Sequence, residues 1–167
     1  EAAHSWIALL DGDDEWHVDH LSSMQKAIEQ DSECIMYCCR YARLNPLGQR
    51  LGVSWRGIPP GNGRLPSYYM ASFLGTPVAT SSSICLNRRM LSETGLMAPF
   101  PLGTRSGEDL DAWVRLASKG AVYFVNEELT TIHAETEGPS KISTRLSGEF
   151  GYLKWVMYPC QSYTDKL

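Results

Sequence analysis

Apolar residues occur along this chain in short bursts, each cut off by a polar or glycine-rich stretch, and the bursts set the expected elements. Ser5-Trp6-Ile7-Ala8-Leu9-Leu10 reads as a short buried strand, which Asp11-Gly12-Asp13-Asp14 stops at once. Leu21, Met24 and Ile28 then recur at helical spacing, with His20, Gln25 and Glu29 free to face water and Asp14 or Asp19 placed to cap. Cys34 to Leu44 reads as a strand with Cys34, Met36 and Cys38 on one side. Residues 45–66 lose periodicity and fill with Gly, Pro and Asn, so a long irregular excursion is expected there.

Tyr68 to Leu74 fits helix or strand equally, and Ser81 to Leu86 reads as a strand leading into a short helical turn around Leu91 and Glu93 that Gly95 ends. A second loop, with Pro99, Pro101, Gly103 and Gly107, covers 96–107. Leu110, Trp113, Val114 and Ala117 stand at i, i+3, i+4 and i+7, the clearest amphipathic helix in the chain, with Gly120 as its expected stop. Ala121 to Val125 and Leu129 to Ile132 read as two strands, and a final helical extension is expected over 141–157. The sum is a single α/β domain, a mixed sheet flanked by helices, with two long loops placed to wall a cleft.

Composition narrows the picture. At 167 residues, with 43% hydrophobic and 20% charged residues, the chain has the content of one ordinary globular domain. A formal net charge of −4 offers no basic field to a nucleic-acid backbone, so no nucleic-acid partner is expected. No apolar run nears the roughly 20 residues of a membrane span and no signal-peptide pattern is present, which makes a cytoplasmic location the expectation. Three of the five cysteines, Cys34, Cys38 and Cys39, crowd one apolar run; the odd total and missing C-x-x-C spacing argue for buried structural thiols.

The chemistry concentrates in two acidic centres. Asp11, Asp13 and Asp14 lie within four residues directly after an apolar strand, where close carboxylates repel unless solvent spreads them, a proton is shared or a cation sits between them. Hard divalent ions favour such oxygen ligands, and Mg²⁺ commonly combines one or two carboxylates with substrate phosphates. A turn that caps the next helix and faces water explains the same residues. The calcium-hand pattern does not fit, because no Gly stands at its sixth position. The second centre, Gly107-Glu108-Asp109-Leu110-Asp111, opens the strongest helix, with Ser106 placed as N-cap; carboxylates in a first turn also simply suit the positive end of a helix.

The run Trp6-Ile7-Ala8-Leu9-Leu10-Asp11-Gly12-Asp13-Asp14-Glu15-Trp16 resembles the strand-plus-aspartate motif of family-two inverting glycosyltransferases with the GT-A fold. Gly107-Glu108-Asp109-Leu110-Asp111-Ala112-Trp113-Val114-Arg115-Leu116-Ala117 resembles the acidic pair and following helix of the same family, and the resemblance covers roughly residues 5–134. It implies a partial GT-A nucleotide-diphospho-sugar transferase fold, with residues 1–167 as its metal-binding and acceptor-side portion. Family members usually place a base-binding βαβ region before the first motif, and this sequence starts after it. Carried over by position, Asp11 and Asp13 lie near the ribose and diphosphate, and Asp13 or Asp14 reaches Mg²⁺ or Mn²⁺. Asp109 is the implied general base, Glu108 orients it or binds acceptor, and His133 is a secondary contact for metal or phosphate; Asp111 is read as solvated or structural.

The implied partners are a nucleotide-diphosphate sugar and a glycan or lipid-linked acceptor, as in polysaccharide biosynthesis, with room for peripheral membrane association. Two other classes compete: a non-catalytic carbohydrate- or nucleotide-binding module, and an acidic metal-binding structural protein. Smaller signals are Trp55, an aromatic in the irregular loop suited to stacking on a sugar, and Arg88-Arg89, which fits a surface pair more simply than a phosphate site.

Overall fold

Met36, Tyr37, Cys38 and Cys39 are all fully buried, and this absence of alternation marks a strand covered on both faces. In the computed structural model, which describes residues 4–98 and 107–134, that strand is the middle of a mixed sheet. In chain order the strands are β1 (Trp6–Ala8), β2 (Glu15–Trp16), β3 (Met36–Leu44), β4 (Arg50–Leu51), β5 (Gly63–Arg64), β6 (Ile84–Asn87) and β7 (Val122–His133). The helices are α1 (His20–Gln30), α2 (Tyr68–Leu74), α3 (Arg88–Glu93) and α4 (Glu108–Ala117), with a 3₁₀ turn at Ser81–Ser83. The sheet runs β1-β6-β3-β7-β2, with β4 added to β3 and β5 to β7. Among the described residues only β3 and β7 pair in parallel, from Met36 opposite Val122 to Leu44 opposite His133.

Two cores lie on opposite faces of the sheet. One gathers Met36, Cys38, Ile84, Leu86 and Phe124 of the strands with Leu91 of α3 and Trp113 and Leu116 of α4. The other gathers Tyr37, Cys39, Cys85, Tyr123 and Val125 with Met24 and Ala27 of α1. Mixed strand directions with helices on both faces match the α/β architecture expected from the sequence.

Several local expectations are corrected. The two strands expected at 121–125 and 129–132 are one, because β7 absorbs register shifts between Cys39 and Tyr41 of β3 instead of ending. His20 is fully buried while Leu21 is 57% exposed, the reverse of the expected facing. The cause is local: the His20 ring stacks on Trp16 at 4.3 Å, and its Nδ1 lies 3.1 Å from the Leu129 carbonyl. Cys34 precedes β3 and joins the α1-side core, apart from Met36 and Cys38. Residues 68–74 resolve to a helix, capped by the Ser67 hydroxyl accepting from the Met70 amide at 3.2 Å.

The α4 helix closes at Ser118, before Gly120, and Gly120 serves packing: a Cβ there would sit 2.9 Å from the Ile35 Cβ. Cys34, Cys38, Cys39 and Cys85 are buried free thiols, as their placement suggested. Burial raises all four, Cys34 and Cys85 to about 11 and Cys39 to about 12, so none is poised as a thiolate. Ser106 and the 141–157 extension lie outside the described residues.

Candidate functional site

The acidic turn follows β1, and its own backbone closes it: the Asp14 amide donates to the Asp11 carbonyl at 3.2 Å. β2 then pairs antiparallel with β7, placing Glu15 opposite Thr131 and Trp16 opposite Thr130. That pairing brings the end of β7 to the turn. The His133 amide donates to Asp14 Oδ1 at 3.1 Å, and the His133 ring nitrogen Nε2 lies 3.2 Å from Glu15 Oε1.

The 3₁₀ turn supplies the other support. Ser82 is fully buried, its hydroxyl accepts from the Asp11 amide at 3.0 Å, and it donates to Asp14 Oδ2 at 2.5 Å. The Ser82 carbonyl accepts from Trp16 Nε1 at 2.7 Å and from the Thr130 hydroxyl at 3.2 Å. Sequence reasoning passed over Ser82; its signal is the hydroxyl run Thr80-Ser81-Ser82-Ser83 between apolar segments. Asp13, by contrast, is exposed and its carboxylate accepts no hydrogen bond from the described residues.

The second centre starts at Gly107, whose φ of 77° is the left-handed conformation that glycine adopts without strain. Asp109 Oδ1 accepts from the Leu110 amide at 2.7 Å, and Glu108 Oε2 is buried with no hydrogen-bond partner among the described residues. Asp111 turns away to Arg115 one helical turn on, at 2.8 Å, the structural role expected of it. Burial raises the Asp109 carboxyl, against the Leu110 amide that lowers it and with Glu108 adding to the rise. At this helix start desolvation therefore outweighs the favourable backbone terminus.

Charge at the second centre also acts on the first. Asp11 is raised first by burial, then by Asp14 and Asp13 beside it, and also by Asp109 and Glu108. Repulsion from α4 reaches the turn because β1 ends next to β6 while α4 packs across the same sheet face, where Ile7, Leu9 and Leu110 all border the α4-side core. The Asp11 carboxyl is thus raised by charges from both acidic centres, while His133 lies against Asp14 and Glu15.

Among the described residues, no three His, Cys, Asp or Glu side chains gather as a ready-made metal cage. The carboxylates of the turn are hard oxygen donors, of which Asp13 is the open one. Trp55 is half-buried in its loop. Its ring packs edge-on against Tyr41 at 5.0 Å and near Phe124 at 5.7 Å, under the Arg40 guanidinium at 5.6 Å. Arg89 spends its charge on Glu33 and Glu93, a surface arrangement.

No family model matches the chain. An uncharacterized glycosyltransferase of Rickettsia conorii and one of Rickettsia felis are each 24% identical over 131 residues, covering 78% of this chain and 20% of theirs. The chain therefore spans about a fifth of the length of the curated relatives it matches. Among solved structures, that of S. aureus TarS 1-349 superposes with a TM-score of 0.59 at 10% identity, over 93% of this chain and 40% of that one. The chain thus shares with that structure a mixed α/β fold, a sheet flanked by helices.

Proposed function

We propose that this chain forms the donor-phosphate and acceptor side of an inverting, GT-A-type family-two glycosyltransferase. The full polypeptide would move a sugar from a nucleotide-diphosphate sugar to a glycan or lipid-linked acceptor. The observation that carries the reading is that Ile7 and Leu9, just before the acidic turn, and Leu110, in the first turn of α4, pack against one core, with Glu108 and Asp109 adding to the rise of the Asp11 carboxyl; a single displacement needs donor-side and acceptor-side groups near one space. The glycosyltransferase relatives support the reaction class.

In this reading Asp109 accepts the proton of the acceptor hydroxyl as its oxygen bonds to the anomeric carbon, and the bond to the nucleotide diphosphate breaks with its electron pair. A carboxyl raised by burial is a better base than an exposed aspartate, which suits the role. Glu108, with a buried oxygen that has no partner among the described residues, orients Asp109 or receives a second acceptor hydroxyl. On the donor side Asp11 faces the ribose and Asp13 the diphosphate and its cation, with His133 close enough to Asp14 to add a phosphate contact. A divalent cation, when bound there, neutralises charge on the leaving diphosphate.

The test is an assay of the full-length polypeptide with Mg²⁺, nucleotide-diphosphate sugars and glycan acceptors, with the anomeric configuration of the product read by NMR. Transfer with inversion is expected. Donor binding without transfer or hydrolysis assigns the chain to a non-catalytic module instead.

A further inference from the structure

We infer that Ser82 and Asp14 form a positioning clamp that fixes the acidic turn and leaves Asp13 as its ligand-facing carboxylate; this rests on reading the turn as the donor side. Asp14 and Asp13 are neighbours of identical chemistry with opposite surroundings. Both oxygens of Asp14 are held by the protein, one by the Ser82 hydroxyl at 2.5 Å and the other by the His133 amide at 3.1 Å. Asp13 is exposed and accepts nothing from the described residues.

The polarity of the clamp follows from what a hydroxyl can do. Ser82 has one proton to give, and Asp14 is an acceptor, so the hydroxyl donates to Asp14 and accepts from the Asp11 amide. One fully buried side chain therefore grips both ends of the Asp11–Asp14 turn, and the charge on Asp14 strengthens the grip. Ser82 is itself anchored through its carbonyl by Trp16 and Thr130, so the turn is tied to β2, β7 and the 3₁₀ segment together. The Asp14 oxygens are directed to protein donors from two different elements, which fixes the side chain and leaves Asp13 as the carboxylate of the pair with no such tether.

The experiment compares the full chain with Ser82→Ala, Asp14→Asn and the double variant. Hydrogen exchange of the Asp11 amide is followed without metal, and calorimetry measures binding of UDP and of GDP with Mg²⁺. The clamp predicts that each single change speeds Asp11 exchange by about tenfold or more, while the double adds little, because both break one shared unit. It also predicts that both singles weaken Mg²⁺-dependent nucleotide binding to a similar degree, with melting temperatures reported for each.

Should Ser82→Ala not fold, Ser82→Cys, which retains a weaker donor, takes its place and is expected to give a smaller effect in the same direction. The proposal is overturned if Asp14→Asn abolishes Mg²⁺-dependent binding with Asp11 exchange unchanged while the Ser82 variant binds as wild type; Asp14 is then a ligand. A wild-type protein that binds neither nucleotide with Mg²⁺ overturns the donor-side reading, and the exchange data then judge the clamp alone.

Discussion

Asp109 lies close enough to Asp11 for its charge to help raise the Asp11 carboxyl above the ordinary aspartate value, although nearly a hundred residues separate the two in sequence. Two carboxylates that repel across a fold cost stability, and such costs concentrate where a site is meant to hold a cation, a proton or a substrate. Burial is the largest cause at both residues, and it is the more complete at Asp109, since Asp11 keeps an exposed surface.

This cost gives a pH dependence with a definite sign. The folded-state values of Asp11 and Asp109 are raised above 3.8, so the folded protein holds these protons more tightly than the unfolded chain does. Their contribution is fully present below 3.8 and is lost as pH rises through the raised values. Asp11→Asn and Asp109→Asn are therefore expected to melt higher than wild type at pH 7, with the advantage shrinking toward pH 4. Subtracting each variant from wild type isolates these groups from His20, which burial lowers and which loses stability on the acid side.

Asp31 runs the other way. Arg64 grips it through two hydrogen bonds, at 2.5 and 2.9 Å, and this holds the carboxyl at about 2. Its contribution is present above 3.8 and is lost as pH falls toward 2. Arg64→Met is expected to lower the melting temperature at pH 7 and to match wild type near pH 2, as a melt series across that range would register.

Gly120 tests the packing account independently of chemistry. A methyl group there meets Ile35 Cβ at 2.9 Å and Met90 Cε at 3.0 Å. Gly120→Ala should cost about 1–3 kcal/mol through overpacking, measured by urea denaturation. Folded Gly120→Ala is expected to bind nucleotide with Mg²⁺ as wild type does, since neither contact touches the acidic centres.

Asp13→Asn removes the open carboxylate of the turn and leaves the Asp14 contacts in place. Mg²⁺-dependent nucleotide affinity is expected to fall by about tenfold or more, the order of one lost charged ligand. Calorimetry with and without Mg²⁺ separates this from an effect on metal-free binding, and unchanged Mg²⁺ dependence would remove Asp13 from the cation.

Much of this arrangement was legible in the sequence because its signals are local. The apolar burst ending at Asp11 marks β1, and the spacing of Leu110, Trp113, Val114 and Ala117 marks α4 within two residues of its observed start. What escaped depends on contacts between distant segments. His20 reads as a polar position on a helix, and only the Trp16 ring and the Leu129 carbonyl explain its burial. The split of β7 into two strands followed the polar Asn126-Glu127-Glu128 interval, which the structure carries through at the register shift opposite Cys39 and Arg40. Trp55 lies in an irregular loop yet packs part of its ring on the core, a contact between distant segments that the loop's composition does not announce. Ser82 was invisible for a related reason: a buried serine is informative only once its partners are known.

The central claim, that the acidic turn and the α4 start act on one transfer reaction in different roles, is tested most directly by the kinetics of Asp109→Asn in the full-length polypeptide. The substitution keeps size and removes the proton acceptor. Maximal transfer at saturating donor and acceptor is expected to fall by about 10²-fold or more. Mg²⁺-dependent donor affinity should stay near wild type, in contrast to Asp13→Asn, and the variant should melt no lower than wild type at pH 7. Near wild-type maximal transfer by folded Asp109→Asn would contradict the account and leave Asp109 as a helix-terminal carboxylate only.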